Sequence, residues 1–268
     1  MDYQNFDQEI AEGCARISFT GPGAPDLGVL CDEFTDLMLR LQEDNAVRVI
    51  LFIDGDHAFD LHHDLDGLYD NFGQDAGFEA LAADEEIGRR IITLISESTK
   101  PIVAATRGDI RNNGLGFFLA ADIKLATGSA RFTPLNLVSG VMPGWGLTHN
   151  LQRLMGTGRA LDLLWNQRTL DGDEAFRLGL VDRLLSEQTW EEELDDILMR
   201  LRSLPQPMLH LTKLGLQQAA DLDMTTMFAY DWESQQQCWN SLETAEGMRA
   251  RFEGRLPRFD VAITDEED

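Results

Sequence analysis

Lysine is nearly missing from this chain: only Lys100, Lys124 and Lys213 occur in 268 residues, and arginine supplies the rest of the basic charge. Basic residues number 22 against 47 acidic ones, for a formal net charge of −25. A surface of that sign repels nucleic acid and anionic lipid, so neither is expected as a partner. The excess of acid fits an ordinary well-solvated surface or a salt-adapted one equally well. Cysteine is also scarce. Cys14, Cys31 and Cys238 are too widely spaced to suggest a disulfide framework or a metal site, and a reducing cytoplasm is the expected compartment. No apolar run approaches the ~18 residues that would span a membrane. The opening MDYQNFDQEIAEG is acidic and has no apolar core, so it does not read as a signal peptide. No repeat of fixed period is evident.

Patterned apolar sequence is what remains. ARISF (15–19), VRVILFI (47–53), PIVAAT (101–106) and DIKLAT (122–127) read as strands. VRVILFI and PIVAAT are almost continuously apolar, as strands buried on both faces are. Between them, residues 27–42 put Leu30, Phe34, Met38 and Leu41 on one helical face, and residues 83–98 do the same with Ile87, Ile91, Ile92 and Ile95. This alternation predicts an α/β fold with helices packed on sheets. After about residue 145 the strand signals fade, and 145–155, 158–167, 172–178, 187–203, 206–220 and 224–240 read as helices. Asp171 and Asp173 suit N-caps, and Gly179 sits where a helix stops. The acidic close, TDEED, reads as a disordered tail.

Four segments, collinear and covering nearly the whole chain, resemble the crotonase (enoyl-CoA hydratase/isomerase) superfamily. VRVILFIDGDHAFDLHHDL is similar to the family's strand and A-F-x-A-G-A-D turn. KPIVAATRGDIRNNGLGFFLAADIKLAT is similar to its K-P-x-I-A-A-V-x-G strand, glycine-rich turn and following helix. SARFTPLNLVSGVMPGWGLTHNLQRLMG resembles its A-x-F-x-x-P-E-x-x-x-G-x-x-P-G-x-G-x-T stretch, and ETAEGMRARFEGRLPRF its characteristic ending. The resemblance implies a crotonase-like ββα spiral, with two near-perpendicular sheets flanked by helices, over residues 1–200. It also implies a C-terminal helical trimerisation region over 201–268, giving a homotrimer or a dimer of trimers. The substrate implied is an acyl-CoA or another acyl thioester, with no further cofactor. Two backbone N–H groups would form an oxyanion hole, each such donor being worth roughly 3–4 kcal/mol in a dry site.

Register with the family places Leu61 and Asn113 at the two oxyanion donors. Ala58, Phe59 and Asp64 match fixed positions of the first turn and fall beside the substrate. His63, which precedes that aspartate, matches a histidine found at the active site in the methylmalonyl-CoA decarboxylase branch. It would donate to the thioester oxygen or to a substrate carboxylate; as a residue type it is equally a turn histidine. Gly116 and Asn136 fall where hydratases carry their two glutamates, so the pair that activates water is absent. Asn113 replaces the usual donor glycine in RNNG, and asparagine tolerates positive φ better than other non-glycine residues. Trp145, in PGWG, suits an apolar wall for the acyl group. Arg111 would meet a carboxylate or phosphate, or simply solvent. The loop TGPGAPDLG has no basic residue where the family commonly has one near the CoA phosphates. Arg249, Arg251, Arg255 and Arg258 form the densest basic cluster.

These features predict enolate stabilisation without water activation: decarboxylation first, then double-bond isomerisation or C–C cleavage. The alternative is a non-catalytic crotonase-fold protein for binding or assembly.

Overall fold

A computed structural model of the chain describes residues 3–20, 26–54, 59, 61, 70–134, 137 and 140–259. Phe6–Ala11 (β1) and Cys14–Phe19 (β2) form an antiparallel hairpin. Its two-residue turn, Glu12–Gly13, has positive φ at both positions, the geometry that matches the twist of paired strands. Val49–Ile53 (β3), Ile102–Thr106 (β4), Ile123–Thr127 (β6) and Arg183–Leu185 (β9) add to β2 in parallel, in the order β1-β2-β3-β4-β6-β9. A second sheet holds Asp109–Arg111 (β5), Arg131–Thr133 (β7) and Leu170–Asp171 (β8). The chain turns from one sheet to the other at Arg107–Gly108. There Asp54 Oδ2 accepts the backbone N–H groups of Arg107 (2.7 Å) and Gly108 (2.9 Å) and the Thr106 hydroxyl (3.1 Å).

Every residue of β3 and β4 is buried, because both faces of the sheet are covered. On one face, Ile50, Phe52, Ile102 and Ala104 join the main core with helix α1 (Leu27–Glu43), capped by Asp26, and helix α2 (Asp75–Ser96). Leu30, Phe34, Met38 and Leu41 all point inward from α1, as their spacing predicts. Helix α3 (Asn113–Ala120) enters this core with Phe117, whose ring meets Phe19, Phe34, Phe52 and Phe59 at 5.1–5.6 Å between centroids. Helices α4 (Leu147–Met155), α5 (Thr157–Trp165) and α6 (Gly172–Leu178) follow. The other face of the sheet is covered by Trp190, Leu194, Ile197 and Leu198 of α7 (Trp190–Arg202).

Lys100 and Lys124 are buried and Lys213 is partly buried, and each reaches a carbonyl at a helix C-terminus. Lys100 Nζ donates to Leu41 O and Asp44 O at the end of α1, and burial pushes its pKa down. Lys213 Nζ reaches Ile95 O in the last turn of α2 and pairs with Asp122 at 2.9 Å. Lys124 Nζ reaches Ala121 O behind α3 and pairs with Asp182 at 2.9 Å. A cation there complements the negative end of the helix dipole. All exposed positive charge is therefore arginine.

Residue 200 lies in the last turn of α7. Beyond it come α8 (Gln206–Gln218), α9 (Met224–Trp239) and α10 (Leu242–Glu253). Arg48 ties them to the sheet: its guanidinium grips Glu243 at 2.8 and 3.0 Å, donates to Arg202 O and Leu204 O, and lies 4.1 Å over the Phe259 ring. No residue of α9 is buried, and Met224, Phe228, Trp232 and Trp239 are exposed on it.

Several expected boundaries move. The second strand begins at Val49 rather than Val47, and α2 begins at Asp75, well before 83. The helix expected from 145 starts at Leu147, because Trp145 and Gly146 both have positive φ. Asp171 caps α6 by accepting Glu174 N at 2.8 Å, whereas Asp173 lies in its first turn. Gly179 ends α6 in the left-handed conformation, as expected.

Candidate active site

The site is built where β5 gives way to α3. Asn112 takes φ 50°, ψ −125°, a conformation rare outside glycine, and its N–H donates to Thr133 O at 3.1 Å. The next residue, Asn113, opens α3, so its backbone N–H has no acceptor within the helix and lies at the positive end of the helix dipole. Leu61 pairs with Asn112 in a parallel bridge, which brings the two expected donor segments side by side. Close approach is enforced at Gly114: a Cβ there would lie 1.8 Å from Phe59 O. Phe59 itself is buried with φ 41°, and its carbonyl accepts the Leu61 N–H at 2.8 Å. One expected oxyanion donor is thus free of the helix, and the other is held by a carbonyl two residues back.

At Gly116, the position expected to match a hydratase glutamate, Trp145 fills the space beside the backbone. A Cβ on Gly116 would meet Trp145 O at 2.5 Å and Trp145 Cβ at 2.8 Å. A Cβ on Gly88 of α2 would meet the indole at 2.6–2.8 Å. The ring, 1% exposed, is therefore received by Gly88 of α2, while the Trp145 backbone and Cβ pack against Gly116 of α3. Its Nε1–H donates to Asp84 Oδ2 at 3.4 Å, and Asp84 Oδ1 accepts from Asn113 Nδ2 at 3.5 Å. Asn113 Oδ1 is buried and accepts no hydrogen bond among the described residues.

Of the sequence-expected site residues, Phe59, Leu61, Asn113 and Trp145 cluster here. Arg111 does not turn inward: it is exposed and pairs with Asp109 at 2.9 Å. Ala58, His63, Asp64 and Asn136 lie outside the described residues. Arg249, Arg251 and Arg258 are exposed, whereas Arg255 is taken up by Glu246 and Glu253. Sequence reasoning passed over Asp84. The signal was present: Asp84, Gly88, Ile91 and Ile95 fall on one buried stripe of α2, and an aspartate on such a stripe needs partners.

The chain aligns over 97% of its length with 99% of a crotonyl-CoA hydratase from Syntrophomonas wolfei, at 28% identity. It aligns over 79% of its length with 77% of a 4-chlorobenzoyl coenzyme A dehalogenase from an Arthrobacter species, also at 28%. An enoyl-CoA hydratase/isomerase crystal structure from Cupriavidus metallidurans superimposes with a TM-score of 0.82 and 27% identity, covering 96% of both chains. The α/β fold is thus shared over 96% of the chain. The model of the enoyl-CoA hydratase/isomerase family matches residues 10–261, and the chain belongs to that family.

Proposed function

We propose that this chain processes an acyl-CoA thioester by stabilising an enolate at the Leu61–Asn113 donors, and that its reaction is not hydration. The observation that carries the reading is the pairing of Leu61 with the Asn112–Asn113 turn at the start of α3, with Gly114 permitting the contact. Preorganised N–H groups aimed at a developing oxyanion act without a general base. The Leu61 N–H must be shared with, or released from, Phe59 O for both donors to act. Against hydration stand Gly116 and Asn136 at the glutamate positions, and Trp145 packed over Gly116.

Decarboxylation suits such a site best. The bond between Cα and the carboxylate breaks, its electron pair moves into the thioester enolate, and CO₂ leaves. Water or a nearby acid then protonates Cα. His63 is the residue we assign to the thioester oxygen or the departing carboxylate. Isomerisation and C–C cleavage use the same enolate. One relative bears the name of a dehalogenase, so likeness at this level extends to proteins named for reactions other than hydration.

The test is turnover of malonyl-, methylmalonyl- and crotonyl-CoA by the purified protein. CO₂ release from a malonyl-type thioester, slowed more in kcat than in KM by His63→Ala, supports the reading. Unchanged rates in that variant remove His63 from the mechanism.

A second reading, a non-catalytic binding or assembly protein, is favoured by one observation: Trp145 occupies the volume beside Gly116. Absence of binding to all three thioesters would select it. In both readings the exposed apolar side chains of α8 to α10 are assigned to contacts between copies, as a trimer or a dimer of trimers.

A further inference from the structure

The chemistry above leaves one buried carboxylate of the site unused. Asp84 is 8% exposed and points from α2 to where the first turn of α3 meets the segment before α4. Its two oxygens accept from two different neighbours, Asn113 Nδ2 at 3.5 Å and the Trp145 indole at 3.4 Å. We propose that Asp84 is the positioning residue of the oxyanion turn. Through the Asn113 carboxamide it fixes the residue whose backbone N–H faces the thioester oxygen, and through the Trp145 indole, seated on Gly88, it holds the Trp145 backbone that packs on Gly116. The assignment rests on the acyl-thioester reading of the site.

The geometry explains why this turn needs an anchor. Asn112 sits in a strained conformation, and small rotations about its ψ and the φ of Asn113 swing the intervening N–H. A misplacement of about 1 Å can cost 10²-fold in rate. Holding the Asn113 side chain restricts that rotation from the far side. A carboxylate is the acceptor of choice for two neutral donors in a site shut off from water. The ring seat is an independent feature of the same helix. Gly88 lies one turn beyond Asp84 on the same face, and only a residue without Cβ lets the indole lie there. Trp145, at φ 53°, is itself held in a conformation that its surroundings must enforce. Among the described residues Asp84 meets the site through these two side chains, and the role proposed for it is exerted through them.

The experiment uses the full chain and whichever of malonyl-, methylmalonyl- or crotonyl-CoA the wild type turns over. Asp84→Asn keeps the size but sets an amide with one acceptor oxygen against two donors. It should lower kcat by about tenfold or more through misaligned Asn113, with KM changed less than about twofold. In an Asn113→Gly background, which keeps the backbone N–H and deletes the carboxamide, Asp84→Asn should cost less than about a further twofold. The same loss in both backgrounds would mean that Asp84 does not act through Asn113, and would overturn the proposal. Trp145→Phe removes the indole donor at nearly constant shape and serves if Asp84→Asn does not fold; an unchanged kcat there also overturns it. Without substrate, the Trp145 indole N–H resonance should move in Asp84→Asn, and an unmoved resonance removes the network. A moved resonance with no turnover of any of the three thioesters instead removes the acyl-thioester reading, and with it the role assigned to Asp84.

Discussion

A side chain at position 116 has no room. Its first carbon would lie 2.5 Å from the Trp145 carbonyl oxygen, which belongs to backbone and cannot swing away. Gly116→Ala should therefore destabilise the protein by about 1–3 kcal/mol, the usual cost of overpacking a filled core. Urea denaturation measures it, and a wild-type midpoint would show that the PGWG segment yields. For the same reason Gly116→Glu alone should not confer crotonyl-CoA hydration: it meets Trp145 and still lacks a second carboxylate at Asn136. Much at this scale was legible in the sequence. The family resemblance named Leu61 and Asn113 as a pair, and the Leu61–Asn112 bridge does bring their segments together. The Leu61 N–H bond to Phe59 O was not legible, because it depends on a backbone turn at φ 41° that no residue type announces. Asp84 was legible as a buried aspartate on the apolar stripe of α2, but its partners were not, since nothing in the order of residues brings positions 84, 113 and 145 together.

Helix termini carry much of the charge that is not on the surface. Lys100 closes the end of α1 with donations to Leu41 O and Asp44 O. Lys100→Met should strip the ammonium from Leu41 O, while Asp44 O keeps the Val47 N–H at 3.0 Å, and cost about 1–3 kcal/mol, read from the shift in denaturation midpoint; no change would mean that water replaces the ammonium. Glu246 in α10 gives a pH dependence. Arg255 and the Arg258 N–H hold its carboxyl well down, from 4.5 to about 2. A carboxyl depressed in the folded state stabilises fully above its unfolded value and loses that contribution as pH falls through the folded one. The difference in melting temperature between wild type and Glu246→Gln should thus be largest above about pH 5 and shrink toward about pH 2. A difference constant across that range would contradict the pairing. Elements with long patterns, β3, β4 and α1, were read nearly to the residue. β5, β7, β8 and β9 were not, since two or three residues are too few to show alternation. β1 was missed because FDQEIA is an edge strand with only its first residue buried.

For the whole molecule, two features oppose each other. Each chain carries −25 and repels its copies, while α8 to α10 expose large apolar side chains, among them Trp232 at 66% and Phe252 at 95%. Salt screens the first and leaves the second, so assembly should strengthen with ionic strength. Sedimentation at moderate salt should give a trimer or a dimer of trimers; a 30.1 kDa monomer at micromolar concentration would contradict it. The central claim is that the oxyanion turn survives in a chain that cannot activate water. It is tested most directly by assaying one preparation for CO₂ release from malonyl- and methylmalonyl-CoA and for hydration of crotonyl-CoA. The account predicts CO₂ release with formation of the shortened acyl-CoA, and negligible hydration. Hydration of crotonyl-CoA at rates typical of enzymes, on the order of 1–10³ per second, would contradict it.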